Sequence, residues 1–246
     1  MTCRDCSKTA GAEVDYVGGN NNLEQLYNSQ LAKDLEIIEV LLEAGANINV
    51  PASKYNGRTA LQAASEGGHL AIVKKLLGTG AIDNANPAHY GGRTALQAAA
   101  NGHAEVMRFL LRMGADVNAH PSRYWGLTAL QHAALEVRLE VVEGLLRAGA
   151  NVNAPGCYPS TELALYAAAE GGHLDVLEKL LAAGAEVDAF SGNRKQTALQ
   201  VAFKRGNVEL AKKLKMSGAR SDLGVDKIFK SGPYPYASWT RRRLQV

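Results

Sequence analysis

Three tyrosines stand at one recurring position, Tyr55, Tyr90 and Tyr124, each preceded by a basic or imidazole side chain, Lys54, His89 and Arg123. Their surroundings are alike: Ser53-Lys54-Tyr55-Asn56-Gly57-Arg58, Ala88-His89-Tyr90-Gly91-Gly92-Arg93 and Ser122-Arg123-Tyr124-Trp125-Gly126-Leu127. A fourth segment has Tyr158 one place earlier, and a fifth offers Phe190, Arg194 and Lys195. The chemistry such a row could do is recognition, because Tyr, Trp and Arg bury much area with few rotamers to freeze. A structural reading stands beside it. Each Tyr could staple its segment to the next by packing on the adjacent loop, and duplication would copy the staple. Trp125 breaks the copy and leans toward contact with a partner.

Motifs for bond-making chemistry do not emerge. The chain has no Gly-x-x-x-x-Gly-Lys-Ser/Thr phosphate loop, no Gly-x-Ser-x-Gly elbow and no His-Glu-x-x-His. His69, His103 and His173 recur at one position of separate units. With helices stacked about 8–10 Å apart they lie too far from one another to share a metal, and a turn imidazole bonded to backbone is the expected role. Cys3 and Cys6 form a Cys-x-x-Cys pair, but no second ligand pair follows at zinc-finger spacing, so they read as two free thiols. No metal or cofactor is expected.

The elements that must carry the row are set by a repeat. Gly92-Arg93-Thr94-Ala95-Leu96-Gln97-Ala98-Ala99 has near-copies around Leu61, Leu130, Leu165 and Leu199, at steps of 35, 34, 35 and 34 residues. A Gly-Ala pair beginning at Gly45, Gly80, Gly114, Gly149, Gly184 and Gly218 keeps the same beat and adds one earlier unit. Thr59, Thr94, Thr128 and Thr197 fall where a helix should start, and their hydroxyls can accept from a first-turn N–H. Unit four has Leu163 there and should be the least well capped, unless Thr161 serves an earlier start. Gly67-Gly68-His69, Gly102-His103 and Gly171-Gly172-His173 end the first helix of their units, glycine taking the left-handed conformation without a Cβ clash. Pairs such as Ile72/Val73 and Leu76/Leu77 then give a second helix one apolar stripe. In unit three, Glu136-Val137-Arg138 replaces the glycine turn, and local strain or a re-routed loop is expected.

A unit of about 33 residues with a turn and two helices is the ankyrin pattern. Over roughly residues 23–222 the chain resembles the ankyrin-repeat family, with Gln62, Gln97, Gln131 and Gln200 where the family's usual signature has His. The resemblance implies an all-α ankyrin-repeat solenoid with β-turn or hairpin fingers. It also implies binding of another protein on a concave face made of fingers and first helices, without catalysis. The fingers, 14 residues from Gly45 to Thr59, Gly80 to Thr94 and Gly114 to Thr128, carry the surplus over the usual period. The contact residues expected are Lys54, Tyr55, Arg58, His89, Tyr90, Arg93, Arg123, Tyr124, Trp125, Tyr158, Tyr166 and Arg194. The helix-one glutamines should bond backbone between units, and Tyr166, their odd member, is the groove candidate.

Three segments are expected: a leader over 1–22, six units over 23–222 with the outer two as caps, and a basic, aromatic tail over 223–246. Net charge is +3, of which residues 212–246 contribute +7 (nine Lys/Arg, two Asp) and residues 1–211 the remaining −4. The tail, interrupted by Pro233 and Pro235, could fold back as a lid through Tyr234, Tyr236 and Trp239. A groove so closed around Tyr166, Trp125 or His132 would suit an enzyme or small-molecule binder, the alternative function. Nucleic-acid or acidic-partner binding through the tail is a further one. No apolar run reaches about 18 residues, and the first residues lack a secretion signal's apolar core, so a monomeric intracellular protein is expected.

Overall fold

A computed structural model describes residues 35–43, 45, 47–55, 57–124, 126–155, 163–191 and 196–221. The expected leader, the segment expected to form the first helix of the first unit and the expected tail fall outside them. In chain order the helices are α1 (Leu35–Glu43), α2 (Ala60–Glu66), α3 (Leu70–Gly78), α4 (Ala95–Ala99), α5 (Ala104–Arg112) and α6 (Ala129–Leu135). Then come α7 (Leu139–Arg147), α8 (Ala164–Gly171), α9 (Leu174–Ala182), α10 (Ala198–Arg205) and α11 (Val208–Met216). First helices (α2, α4, α6, α8, α10) stack on one another in one layer and second helices in another, each pair joined by a short turn. The expected all-helical repeat solenoid is what forms.

Four of the five described first helices, α2, α4, α6 and α10, start at a reciprocal cap. The Thr59 hydroxyl accepts from Gln62 N–H at 3.3 Å while Thr59 N–H donates to Gln62 Oε1 at 3.0 Å. Thr94 with Gln97, Thr128 with Gln131 and Thr197 with Gln200 do the same. Two otherwise unpartnered donors are satisfied at once. The amide nitrogen of the same glutamine reaches across to the next unit: Gln62 Nε2 donates to Ala85 O, Gln97 Nε2 to Ala119 O at 2.9 Å and Gln131 Nε2 to Ala154 O at 2.8 Å. One side chain thus starts a helix and holds the following finger base. As expected, α8 lacks this cap; Leu163 precedes it and its N–H instead donates to Ser191 Oγ at 2.8 Å, a hydroxyl supplied by the next finger.

Burial follows from position. First helices lie between neighbours and the second-helix layer, so all of Ala95–Ala99 is buried, and only small residues let the layers approach. Second helices bury one stripe: Ile72, Val73 and Leu76 in α3, Val106, Met107 and Leu110 in α5, Val141, Val142 and Leu145 in α7. Each fully buried leucine contributes about 1.5–3 kcal/mol.

A second ladder was not foreseen in the sequence. Asn49, Asn84, Asn118 and Asn153 each donate Nδ2–H to the carbonyl of the next landmark glycine, Gly80, Gly114, Gly149 and Gly184, at 3.0–3.3 Å. Each also accepts, through Oδ1, a backbone N–H two residues beyond that glycine, from Ile82, Asp116, Asn151 and Glu186. At the last step Asp188 takes the place. Its carboxylate cannot donate, and it accepts from Arg220 N–H at 2.9 Å and from Arg220 Nε at 3.0 Å.

Candidate functional site

The fingers exist because of a glycine. A Cβ on Gly57 would lie 2.2 Å from Ser53 N, one on Gly92 2.2 Å from Ala88 N, and one on Gly126 2.5 Å from Ser122 N. The chain can therefore fold back on itself only without a side chain there, and the reversal puts each Tyr at the finger tip. Ser122 Oγ donates to Tyr124 O at 2.9 Å and fixes that tip.

Neighbouring tips then pair. Parallel bridges join Tyr55 to Tyr90 and Tyr90 to Tyr124, with Tyr90 N–H donating to Lys54 O at 3.2 Å and Gly91 N–H to Tyr124 O at 2.9 Å. Residues matched across a parallel pair project to the same face, so the three rings stack. The Tyr55 and Tyr90 centroids are 4.9 Å apart with planes at 19°, and those of Tyr90 and Tyr124 are 4.8 Å apart at 9°. His89 meets Tyr90 and Tyr124 edge-on at 5.0 and 5.6 Å. Lys54 Nζ stands 5.6 Å from the Tyr55 centroid, and the Arg123 guanidinium 5.8 Å from that of Tyr124. Tyr55 remains 51% exposed, while Tyr90 and Tyr124 are half-buried.

The remaining expected contact residues divide. Arg58 Nε lies 2.5 Å and Arg93 Nη1 3.6 Å from Glu66 at the end of α2, so one carboxylate gathers the two arginines at the finger bases. Glu66 was not singled out in the sequence, where nothing distinguishes it from a solvated helix end. Tyr166 is only 9% exposed and belongs to the continuous core, its ring filling space between α8 and its neighbours. A partner meets at most its rim. Trp125, Tyr158 and Arg194 lie outside the described residues, as does Lys195; Phe190, at the base of the fifth finger, is exposed.

His132 stands in α6 where α2, α4 and α8 have Ala63, Ala98 and Ala167. It is 6% exposed and its Nε2 has no hydrogen-bond partner among the described residues. Burial, and then the nearby Arg93 charge, push its pKa down to about 4, so the ring is neutral near pH 7. His173 plays the turn role expected of it, its Nε2 lying 3.3 Å from Leu135 O of the preceding unit. Among the described residues no group of three or more His, Cys, Asp and Glu side chains is placed to hold a metal, and no helix is long and apolar enough to cross a membrane.

The comparison with family models falls on the same register as the helices. The model described as ankyrin repeats (3 copies) matches residues 26–121 and 92–156, and that described as ankyrin repeats (many copies) matches residues 165–214. The chain belongs to the ankyrin-repeat family. Among curated proteins no relative matches. Ankyrin repeats generally mediate protein–protein interaction and are typically non-catalytic. In this ankyrin array the finger row brings together three stacked rings and two flanking cations.

Proposed function

We propose that this chain is a non-catalytic recognition module that binds another protein along the finger row and the adjoining flank of first helices. The observation that carries the reading is the three-ring column. Stacking freezes Tyr55, Tyr90 and Tyr124 before any partner arrives, so the ordering cost of a contact, about 0.5–1.5 kcal/mol per side chain, is already met within the array. The staple and the contact surface are then one structure, with faces packed inward and edges and cations left outside.

Spacing supports the same side. Bridged finger tips approach about as strands do, roughly 4.7–4.9 Å apart, whereas packed helices need about 8–10 Å. Closely spaced finger tips beside more widely spaced helices favour a flank that is shorter on the finger side, the side on which this reading places the partner. In this reading the first and last of six units act as caps, and Lys54, Tyr55, His89, Tyr90, Arg123 and Tyr124 form the core of the contact, to which Trp125, next to Tyr124 in the sequence, is also assigned.

The test is capture of binding partners by the whole chain and by a variant with Tyr55, Tyr90, Tyr124 and Trp125 changed to Ala. Partners should be lost with the variant, and a triple Tyr→Phe variant, which keeps the stack, should retain most of them. Equal recovery by the wild type and the alanine variant would remove the finger row from function.

A further inference from the structure

We propose that the finger row docks a short, extended, acidic segment of the partner protein; this rests on the recognition reading above and specifies the chemistry of what is recognised. The first argument is charge. Segments 50–58, 85–93 and 119–127 contain Lys54, Arg58, Arg93 and Arg123, together with His89 and His120, and not one Asp or Glu. Arg58 and Arg93 have a carboxylate at hand in Glu66. Lys54 and Arg123 are exposed, and the contacts described for them are to the outer two rings of the column. An anion from outside would find two cations flanking the rings.

The second argument is the way the rings are used. An aromatic ring is negative on its faces and positive at its edge. Tyr90 is stacked on both faces, by Tyr55 and by Tyr124, so what the column presents to a ligand along its length is ring edge and phenol. Edges favour carboxylates. The same geometry disfavours a single-stranded nucleic acid, whose bases need free aromatic faces to stack upon. A long polyanion would also run beyond the strip onto an array whose residues 1–211 sum to −4. The column, with centroid steps of 4.9 and 4.8 Å, spans roughly 10 Å. That matches about three residues of extended chain at about 3.3 Å each.

The whole chain is titrated into a fluorescein-labelled peptide of alternating Gly and Glu, its Gly-Lys counterpart and an oligothymidylate, with fluorescence anisotropy as the readout. The acidic peptide should bind best, and raised salt should weaken it. The Lys54→Glu/Arg123→Glu variant should weaken it by about tenfold or more, while Arg112→Glu, at the exposed end of α5, leaves it unchanged. Circular dichroism verifies that each variant is folded. Equal binding of the Glu and Lys peptides, tighter binding of the oligothymidylate, or indifference to the Lys54/Arg123 reversal would each overturn the proposal. If the acidic preference is absent while partner capture still depends on the finger tyrosines, only this inference falls; if capture is also finger-independent, the recognition reading of this row falls with it.

Discussion

Val137 holds φ at +58° in the turn where the other units place Gly68, Gly102, Gly172 and Gly206, all with positive φ. A β-branched side chain in this region clashes with its own backbone at a cost of about 1–2 kcal/mol. Val137 is exposed, so little packing offsets the strain. Replacing it with Gly should therefore stabilise the protein by about 1 kcal/mol, read as a higher urea midpoint with unchanged m, the gain being trimmed by glycine's extra freedom in the unfolded chain. His132 makes an opposite kind of trade. Its folded pKa of about 4 lies below the value of about 6.5 of an unfolded histidine. Between these values the unfolded chain binds the proton and the folded one does not. Stability should fall as pH drops from about 6.5 to about 4, by up to about 3 kcal/mol for this group, and the contribution levels off below. The His132→Ala variant, which copies the neighbouring units, should show a flatter denaturation midpoint between pH 7 and pH 4 than the wild type.

At the scale of the element, the reciprocal Thr/Gln cap couples helix initiation to the next finger. Removing it at Gln97→Ala leaves Thr94 N–H and Ala119 O without their partners, one at a buried helix start and the other at the base of a finger. Each orphaned group costs about 1–3 kcal/mol. A loss of about 2–4 kcal/mol is expected by chemical denaturation, together with faster amide exchange around Ala119. The helix starts, the weak cap at Leu163 and the strained turn at Val137 were all readable in the sequence, since each depends on a local residue type meeting a local backbone demand. The asparagine ladder kept the same period and was just as visible, but its purpose was not: Asn49 bonds Gly80, 31 residues away, and only the stacked array brings the two together. Likewise the row of Tyr55, Tyr90 and Tyr124 could be counted from the sequence. That their faces would be spent on one another depended on the finger tips bridging, which residue types alone do not dictate.

For the whole molecule, a stack in which the closest helix contacts lie within a unit and between adjoining units has no single nucleus of stability. Leu130 is buried at the centre of this stack and Leu214 at its last described helix. Leu130→Ala should cost about 2–5 kcal/mol and also lower the urea m-value, because the two sides lose their coupling. Leu214→Ala should lower stability with less effect on m. The same linear build gives the finger row its continuity, for the ring column needs three units. A photo-crosslinking side chain placed at His89, in the finger row, or at Arg112, at the exposed end of α5, tests this most directly on the intact chain in cell extract. The account predicts discrete partner adducts from position 89 and none of those adducts from position 112; the same adducts from both positions, or from 112 alone, would contradict it.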